Sequence, residues 1–327
     1  MKPKVVVYKK VKPEVKEMLG KVCEPVFFES PDYAADPQFW SELSEAEGLM
    51  GSSLKIDKEL LDKATKLKVV ANTSVGYDNF NLSDINEREI YATNTPDVLT
   101  DTTADTIFSL LLATARRIPQ MNDYVKRGNW ENKIEESLFG IDVHHKVLGI
   151  IGMGRIGSAI AKRAHHGFDM EILYHNRSKN ELAEQEYDAR YCELDELLSK
   201  SDYVCVMSPF TEETKHSIGK RELDLMKKTG ILIVGSRGGI VREDDLYEAL
   251  QSGSIRAAGM DVFETEPVEN NNPLLTCENV VTLPHIGSAT VETRTKMDVL
   301  AATNVIAALQ GETPPSLVNR EVFGSKA

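Results

Sequence analysis

Apolar positions follow two alternating rhythms along the chain. From Lys4, short β-rich runs (KVVVY, VCEPVFF, GLMGSS, KVVANTSVG) alternate with segments of helical spacing (PEVKEMLG, QFWSELSEAE, DKELLDKATK, LSDINEREI). This pattern predicts a first α/β unit that ends near Asn94. TTADTIFSLLLATARR follows, apolar on most of its faces, and is predicted to be a buried helix interrupted near Pro119. A second series begins at Val147, where VLGIIG, EILYH, DYVCVMS, GILIVGS, AAGMDV and VVTLPH predict six strands with helical segments between. That alternation belongs to an α/β fold with a doubly wound parallel sheet. After Gly287, SATVETRTKMDVLAATNVIAALQG reads as one more helix, whose packing partner the pattern leaves open.

Composition narrows the class. A chain of 327 residues, 41% hydrophobic, can bury two cores of ordinary size. The net charge of −13 disfavours nucleic acid or an anionic membrane as partner, although a local site for a small anion remains compatible with it. Cys23, Cys192, Cys205 and Cys277 have no C-x-x-C spacing and read as free thiols of a reducing compartment. MKPKVVVYKK has too short an apolar core for a signal peptide and no later run reaches membrane-spanning length, so a cytoplasmic location is expected. His144-His145 and His165-His166 suggest a metal, but adjacent helical residues do not share a face and no ligand set accompanies either pair. No metal is expected, and His165 and His166 are placed near a helix C-terminus, where cations are favoured.

The most informative stretch is VLGIIGMGRIG, Val147 to Gly157, in which an apolar run ends at Gly152-x-Gly154-x-x-Gly157 and continues as SAIAKRAHH. Strand, glycine turn and helix in that order predict a site for a nicotinamide dinucleotide. Gly152 would permit the turn, Gly154 the approach of the pyrophosphate, and Gly157 close packing of helix on strand. The N–H groups around Arg155 and Ile156 would face the phosphates. Binders of the non-phosphorylated cofactor usually place an acidic residue about 20 residues further on. Here His175 and Asn176 stand in that place, followed by Arg177, Ser178 and Lys179, which would welcome a 2′-phosphate. NADP(H) is therefore the expected cofactor, with NAD(H) possible.

Residues just past the C-terminal ends of parallel strands converge on one crevice. GILIVGS ends at Arg237, AAGMDV leads to Glu264 and Glu266, and VVTLP ends at His285. Each residue alone is ordinary structure; together they suit delivery of a hydride to a ketone. An imidazolium can protonate the developing oxyanion, a carboxylate keeps that imidazole charged and oriented, and arginine's planar fork suits a carboxylate or polarised carbonyl.

These stretches resemble the D-isomer-specific 2-hydroxyacid dehydrogenases over nearly the whole chain. SVGYDN (Ser74 to Asn79), DVHHKVLGIIGMGRIG (Asp142 to Gly157), SRGG (Ser236 to Gly239), AAGMDVFETEP (Ala257 to Pro267) and PHIGSAT (Pro284 to Thr290) match the family's order. Within it, the likeness is greatest to the bacterial glyoxylate/hydroxypyruvate reductases, whose members also reduce 2-ketogluconate. The resemblance implies a Rossmann dinucleotide-binding domain over residues 99–289 and a smaller flavodoxin-like substrate domain from residues 1–98 and 290–327, with an active site in the cleft between them. It implies that Arg237 binds substrate, that Glu266 rather than Glu264 supports His285, and that His285 donates the proton in reduction. The N–H groups of Val75 and Gly76 would hold the substrate carboxylate, and Thr103, Pro209, Thr214 and Asp261 would line the cofactor. It further implies a homodimer, for which the helix from Thr102 is a candidate interface. The expected reaction is NADPH-dependent reduction of glyoxylate or hydroxypyruvate.

Two departures stand out: Val234 where relatives often carry asparagine, and Ser208 in place of the leucine common before Pro209. A rival of another class is a nucleotide-sensing corepressor, since some relatives use the cofactor as a signal. Retention of Arg237, Glu266 and His285 together favours turnover. A formate dehydrogenase would carry glutamine at the Glu266 place.

Overall fold

A computed structural model describes residues 2–30 and 32–323. The chain divides into two compact units, one running up to Leu99 and resuming at Ala289, the other spanning Thr100–Ser288.

The first unit is built on strands β1 (Lys4–Val7), β2 (Glu24–Phe27), β3 (Gly48–Gly51), β4 (Val69–Asn72) and β5 (Tyr91–Thr93), with helices α1 (Pro13–Val22), α2 (Pro37–Ser44), α3 (Lys58–Lys63) and α4 (Leu82–Glu87) between them. All strand pairs are parallel, in the order β2-β1-β3-β4-β5. β3 and β4 are buried throughout, as expected where helices cover both faces of a sheet. Short polar side chains start the helices: Asp36 accepts from Gln38 N–H, Asp57 from Leu60 N–H and Asn81 from Asp84 N–H. The three-residue β5 lies inside what the apolar pattern marks only as the end of the unit.

The second unit opens with α5 (Thr100–Ala115) and α6 (Ile118–Lys126). The break falls at Arg117, which takes a left-handed conformation (φ 55°), and Pro119 sits in the first turn of the next helix, where its missing N–H costs nothing. β6 (Val147–Ile151), α7 (Arg155–Phe168), β7 (Glu171–His175), α8 (Glu181–Tyr187), β8 (Arg190–Tyr191), α9 (Leu194–Lys200), β9 (Tyr203–Val206), α10 (Lys220–Leu225), β10 (Ile231–Val234), α11 (Glu243–Ser252), β11 (Ala257–Met260) and β12 (Val280–Thr282) follow. The sheet is parallel with the order β12-β11-β10-β9-β6-β7-β8, so it has seven strands where the pattern predicts six. The extra strand, β8, is two residues long and partly exposed, and carries no apolar run. The strand order reverses between β6 and β9, the place where doubly wound sheets bind nucleotides.

Ile107, Phe108, Leu110 and Leu111 of α5 join the core under this sheet with Ile150, Ile160 and Ile233. The helix from Thr102 thus buries its apolar face inside its own unit, as its pattern of apolar positions predicts. The last helix, α12 (Val291–Leu309), belongs to the first unit, where Ala301, Ala302 and Val305 pack with Val5, Val7, Leu19 and Val69.

Candidate active site

At the end of β6, Gly152 donates its N–H to His175 O (3.0 Å) and turns the chain at φ 103°. A Cβ on Gly152 would stand 2.4 Å from Ser208 N, and one on Gly157 would stand 2.4 Å from Gly152 O. Both positions therefore require glycine. Gly154, the residue capping α7, meets nothing within 4 Å of such a Cβ, so open space lies over the helix N-terminus that Arg155 and Ile156 begin. Two sterically obligatory glycines and one beside open space at the positive end of a 14-residue helix make a cradle that fits a pyrophosphate.

The segment after β7 closes over this turn. His175 Nδ1 bonds Cys192 O at 3.0 Å. Asn176 Oδ1 accepts Met153 N–H (2.8 Å) and its Nδ2 donates to Met153 O (3.3 Å), so this amide is engaged with the glycine turn. Arg177, Ser178 and Lys179 are exposed, with Lys179 Nζ 5.9 Å from the centre of the Tyr191 ring.

Arg237, Glu266 and His285 follow the adjacent strands β10, β11 and β12. A Cβ on Gly238 would overlap Phe263 O at 1.8 Å, so glycine after Arg237 is what lets that backbone lie against the segment leading to Glu266. Glu266 Oε2 lies 2.7 Å from His285 Nδ1, and Glu266 Oε1 accepts Phe263 N–H at 3.1 Å. Burial pushes the Glu266 carboxyl up, but the His285 hydrogen bond, the Phe263 N–H and the charges of His285 and Arg237 outweigh it, and the group is held below its ordinary value. Glu264 is committed elsewhere, 3.2 Å from His216 Nε2 and accepting Glu243 N–H at 3.2 Å.

His285 is half-exposed and sits at φ 53°, a conformation costly for a side chain with a Cβ. Buried Asp261 answers that cost, accepting Ile286 N–H (2.8 Å) on one oxygen and Gly287 N–H (2.9 Å) on the other. Burial raises the Asp261 carboxyl, with those N–H groups and His285 acting against it. Thr103, buried in the first turn of α5, comes within 3.1 Å of where a Cβ on Gly287 would sit. Thr214 Oγ1 donates to Pro209 O (2.8 Å) and accepts Thr211 N–H (2.7 Å), bracing its own loop. Val234 is buried among apolar residues of β10 and β11.

In the first unit, the loop after β4 has its carbonyls taken. Asn72 Nδ2 donates to Gly76 O (2.7 Å) and Ser74 Oγ (2.8 Å), Asn94 Nδ2 donates to Val75 O (2.8 Å), and Thr95 N–H donates to Ser74 O (2.9 Å). The Val75 and Gly76 N–H groups donate to no partner among the described residues, which suits a nest for an anion.

The model of the D-isomer specific 2-hydroxyacid dehydrogenase, NAD binding domain, matches residues 108–287. The chain belongs to the D-isomer-specific 2-hydroxyacid dehydrogenases. Glyoxylate/hydroxypyruvate reductase B of Serratia proteamaculans is 48% identical over 323 residues, 99% of each chain. Among solved structures, an NADPH-dependent glyoxylate/hydroxypyruvate reductase from Sinorhizobium meliloti, in complex with NADP and malonate, superposes with a TM-score of 0.87 at 34% identity, covering 98% of this chain and 97% of that one. The TT0316 protein of Thermus thermophilus gives a TM-score of 0.88 at 36% identity over 96% of this chain and 99% of that one.

For this dehydrogenase, sequence reasoning misses a supporting layer of asparagines. Asn72 and Asn94 orient the loop carrying Val75 and Gly76, and Asn180 joins Asn176 on Met153. Asn180 alone left a legible sign, an asparagine directly ahead of a helical run, the position that caps α8.

Proposed function

We propose that the chain reduces a small 2-oxo acid, glyoxylate or hydroxypyruvate, to glycolate or D-glycerate with NADPH; its Serratia relative is named a glyoxylate/hydroxypyruvate reductase and its Sinorhizobium relative an NADPH-dependent one. The observation that carries this reading is the 2.7 Å contact between His285 Nδ1 and Glu266 Oε2. The reduced nicotinamide, when bound, supplies the hydride. His285, its Nδ1 held by Glu266, presents Nε2 and protonates the carbonyl oxygen as charge builds on it. Glu266 fixes the orientation of the ring through Nδ1. Arg237 polarises the carbonyl and binds the substrate carboxylate, which the Val75 and Gly76 N–H groups also take.

Gly152, Gly154, Gly157 and the first turn of α7 at Arg155 and Ile156 cradle the pyrophosphate. Thr103, Pro209, Thr214 and Asp261 line the cofactor, and Asn176 shapes its ribose end. Arg177 and Ser178 bind the 2′-phosphate, which gives NADPH its preference while leaving NADH usable. The exposed apolar side chains of Ile118, Val125, Trp130, Ile134 and Phe139, close together in sequence, support a homodimer through that segment. No helix among the described residues is long and apolar enough to cross a membrane, and all four cysteines are free and buried, which supports a reducing, cytoplasmic setting. Steady-state kcat/KM for glyoxylate, hydroxypyruvate and 2-ketogluconate with each nucleotide tests the reading. Turnover of none of the three would overturn it.

A further inference from the structure

The basic tip Arg177-Ser178-Lys179 is fastened at both ends to one peptide of the glycine turn. Asn176, before the tip, pairs with Met153 N–H and Met153 O. Asn180, after it, donates from Nδ2 to Met153 O at 2.9 Å and to Ser158 Oγ at 3.3 Å. The rest of Asn180 is equally committed: its N–H donates to Tyr174 Oη (2.8 Å), and its Oδ1 accepts Ala183 N–H (3.1 Å) at the start of α8. Tyr174 Oη in turn donates to Glu184 Oε1 at 2.8 Å. Every polar group of the Asn180 side chain and its N–H thus joins the tip to β7, to α8 and to the glycine turn.

The consequence is preorganisation. Arg177 and Lys179, like charges on one exposed loop, would repel each other and sample many conformations, and a ligand that needs both must meet that ordering cost on binding. Closing the loop on Met153 at both ends removes much of the cost beforehand. It also fixes the tip relative to the turn that cradles the pyrophosphate, so the distance from diphosphate to 2′-phosphate becomes a property of the fold.

We propose that Asn180 is a positioning residue that sets the preference for a 2′-phosphorylated dinucleotide by holding the Arg177-Ser178-Lys179 tip against the glycine turn. The inference deepens, and rests on, the assignment of Arg177 and Ser178 to the 2′-phosphate. Asn180 itself touches no ligand; it acts through the loop.

Asn180→Ser separates this role from helix capping, because serine is an equally good N-cap but is too short to reach Met153 O. The experiment is calorimetric titration of the intact enzyme with adenosine 2′,5′-bisphosphate and with 5′-AMP, which differ only in the 2′-phosphate, with thermal unfolding as control. The wild type is expected to prefer the bisphosphate. Asn180→Ser should weaken the bisphosphate about 3- to 10-fold, the worth of a lost ordering hydrogen bond, while 5′-AMP stays within about 2-fold. The NADPH-to-NADH affinity ratio should fall by the same factor. If the wild type binds both probes equally, the assignment of the tip fails, and the inference with it. If the wild type prefers the bisphosphate and Asn180→Ser keeps that preference, or loses both ligands alike, the tether is overturned and the assignment stands.

Discussion

Asp261 holds His285 in place without touching its ring: its two carboxylate oxygens take the N–H groups of the next two residues, Ile286 and Gly287, and so fix the left-handed turn at His285. An amide has only one acceptor oxygen, so Asp261→Asn would turn an NH2 group toward one of these donors in a buried place. A loss of about 1–3 kcal/mol is expected, seen as a Tm lowered by roughly 2–10 °C. kcat should fall about 10- to 100-fold through misplacement of the imidazole. A variant with wild-type Tm and kcat would show that Asp261 does not hold this turn.

Much of the architecture is legible in the sequence because it is periodic or steric. The strands from β6 to β12 announce themselves as apolar runs, apart from β8, whose pairing rests on backbone bonds of Arg190 and Tyr191 that no hydrophobic pattern encodes. Gly152 and Gly157 are readable since their missing side chains have a packing reason. The rest of the asparagine layer is not readable: Asn72 and Asn94 act through hydrogen bonds to residues 2 to 19 positions away, and such bonds leave no rhythm. Glu264 and Glu266 are equally plausible by position after a strand; the family resemblance prefers Glu266, and the structure has Glu264 facing His216 and Glu266 facing His285.

That division predicts unequal effects. Glu266→Gln should lower kcat for reduction by about 10- to 100-fold, since the carboxylate that orients the His285 ring through Nδ1 is gone. Glu264→Gln should leave kcat within about 3-fold, as the lost contacts lie on the surface. Equal effects on kcat would contradict the pairing.

Stability should carry the same signature. The Glu266 carboxyl is depressed below its ordinary 4.5 in the folded protein, so its contribution is full above that value and fades as pH falls through the lower, folded one. Between about pH 5 and 3 the wild-type Tm should therefore fall more steeply than that of Glu266→Gln. Parallel curves would mean that the group is not depressed.

Arg177→Ala removes a charge-assisted contact of about 1.5–3 kcal/mol, so NADPH affinity should drop roughly 10- to 150-fold while NADH affinity changes little. Fluorescence titration with both nucleotides reads the difference. Unchanged NADPH binding would remove Arg177 from the 2′-phosphate site.

Trp130 is 65% exposed, unusual for so large an apolar side chain in a free surface, and Phe139 is nearly half exposed nearby in sequence. Sedimentation of the wild type should give a dimer, and the double variant Trp130→Glu, Phe139→Glu a monomer. A double variant that stays dimeric would place the interface elsewhere.

The most direct measurement is kcat for glyoxylate reduction by His285→Ala, paired with its NADPH dissociation constant. Loss of the proton donor should lower kcat by about 10²- to 10⁴-fold with NADPH binding nearly unchanged. Full turnover in that variant would contradict the assignment of His285 as the acid.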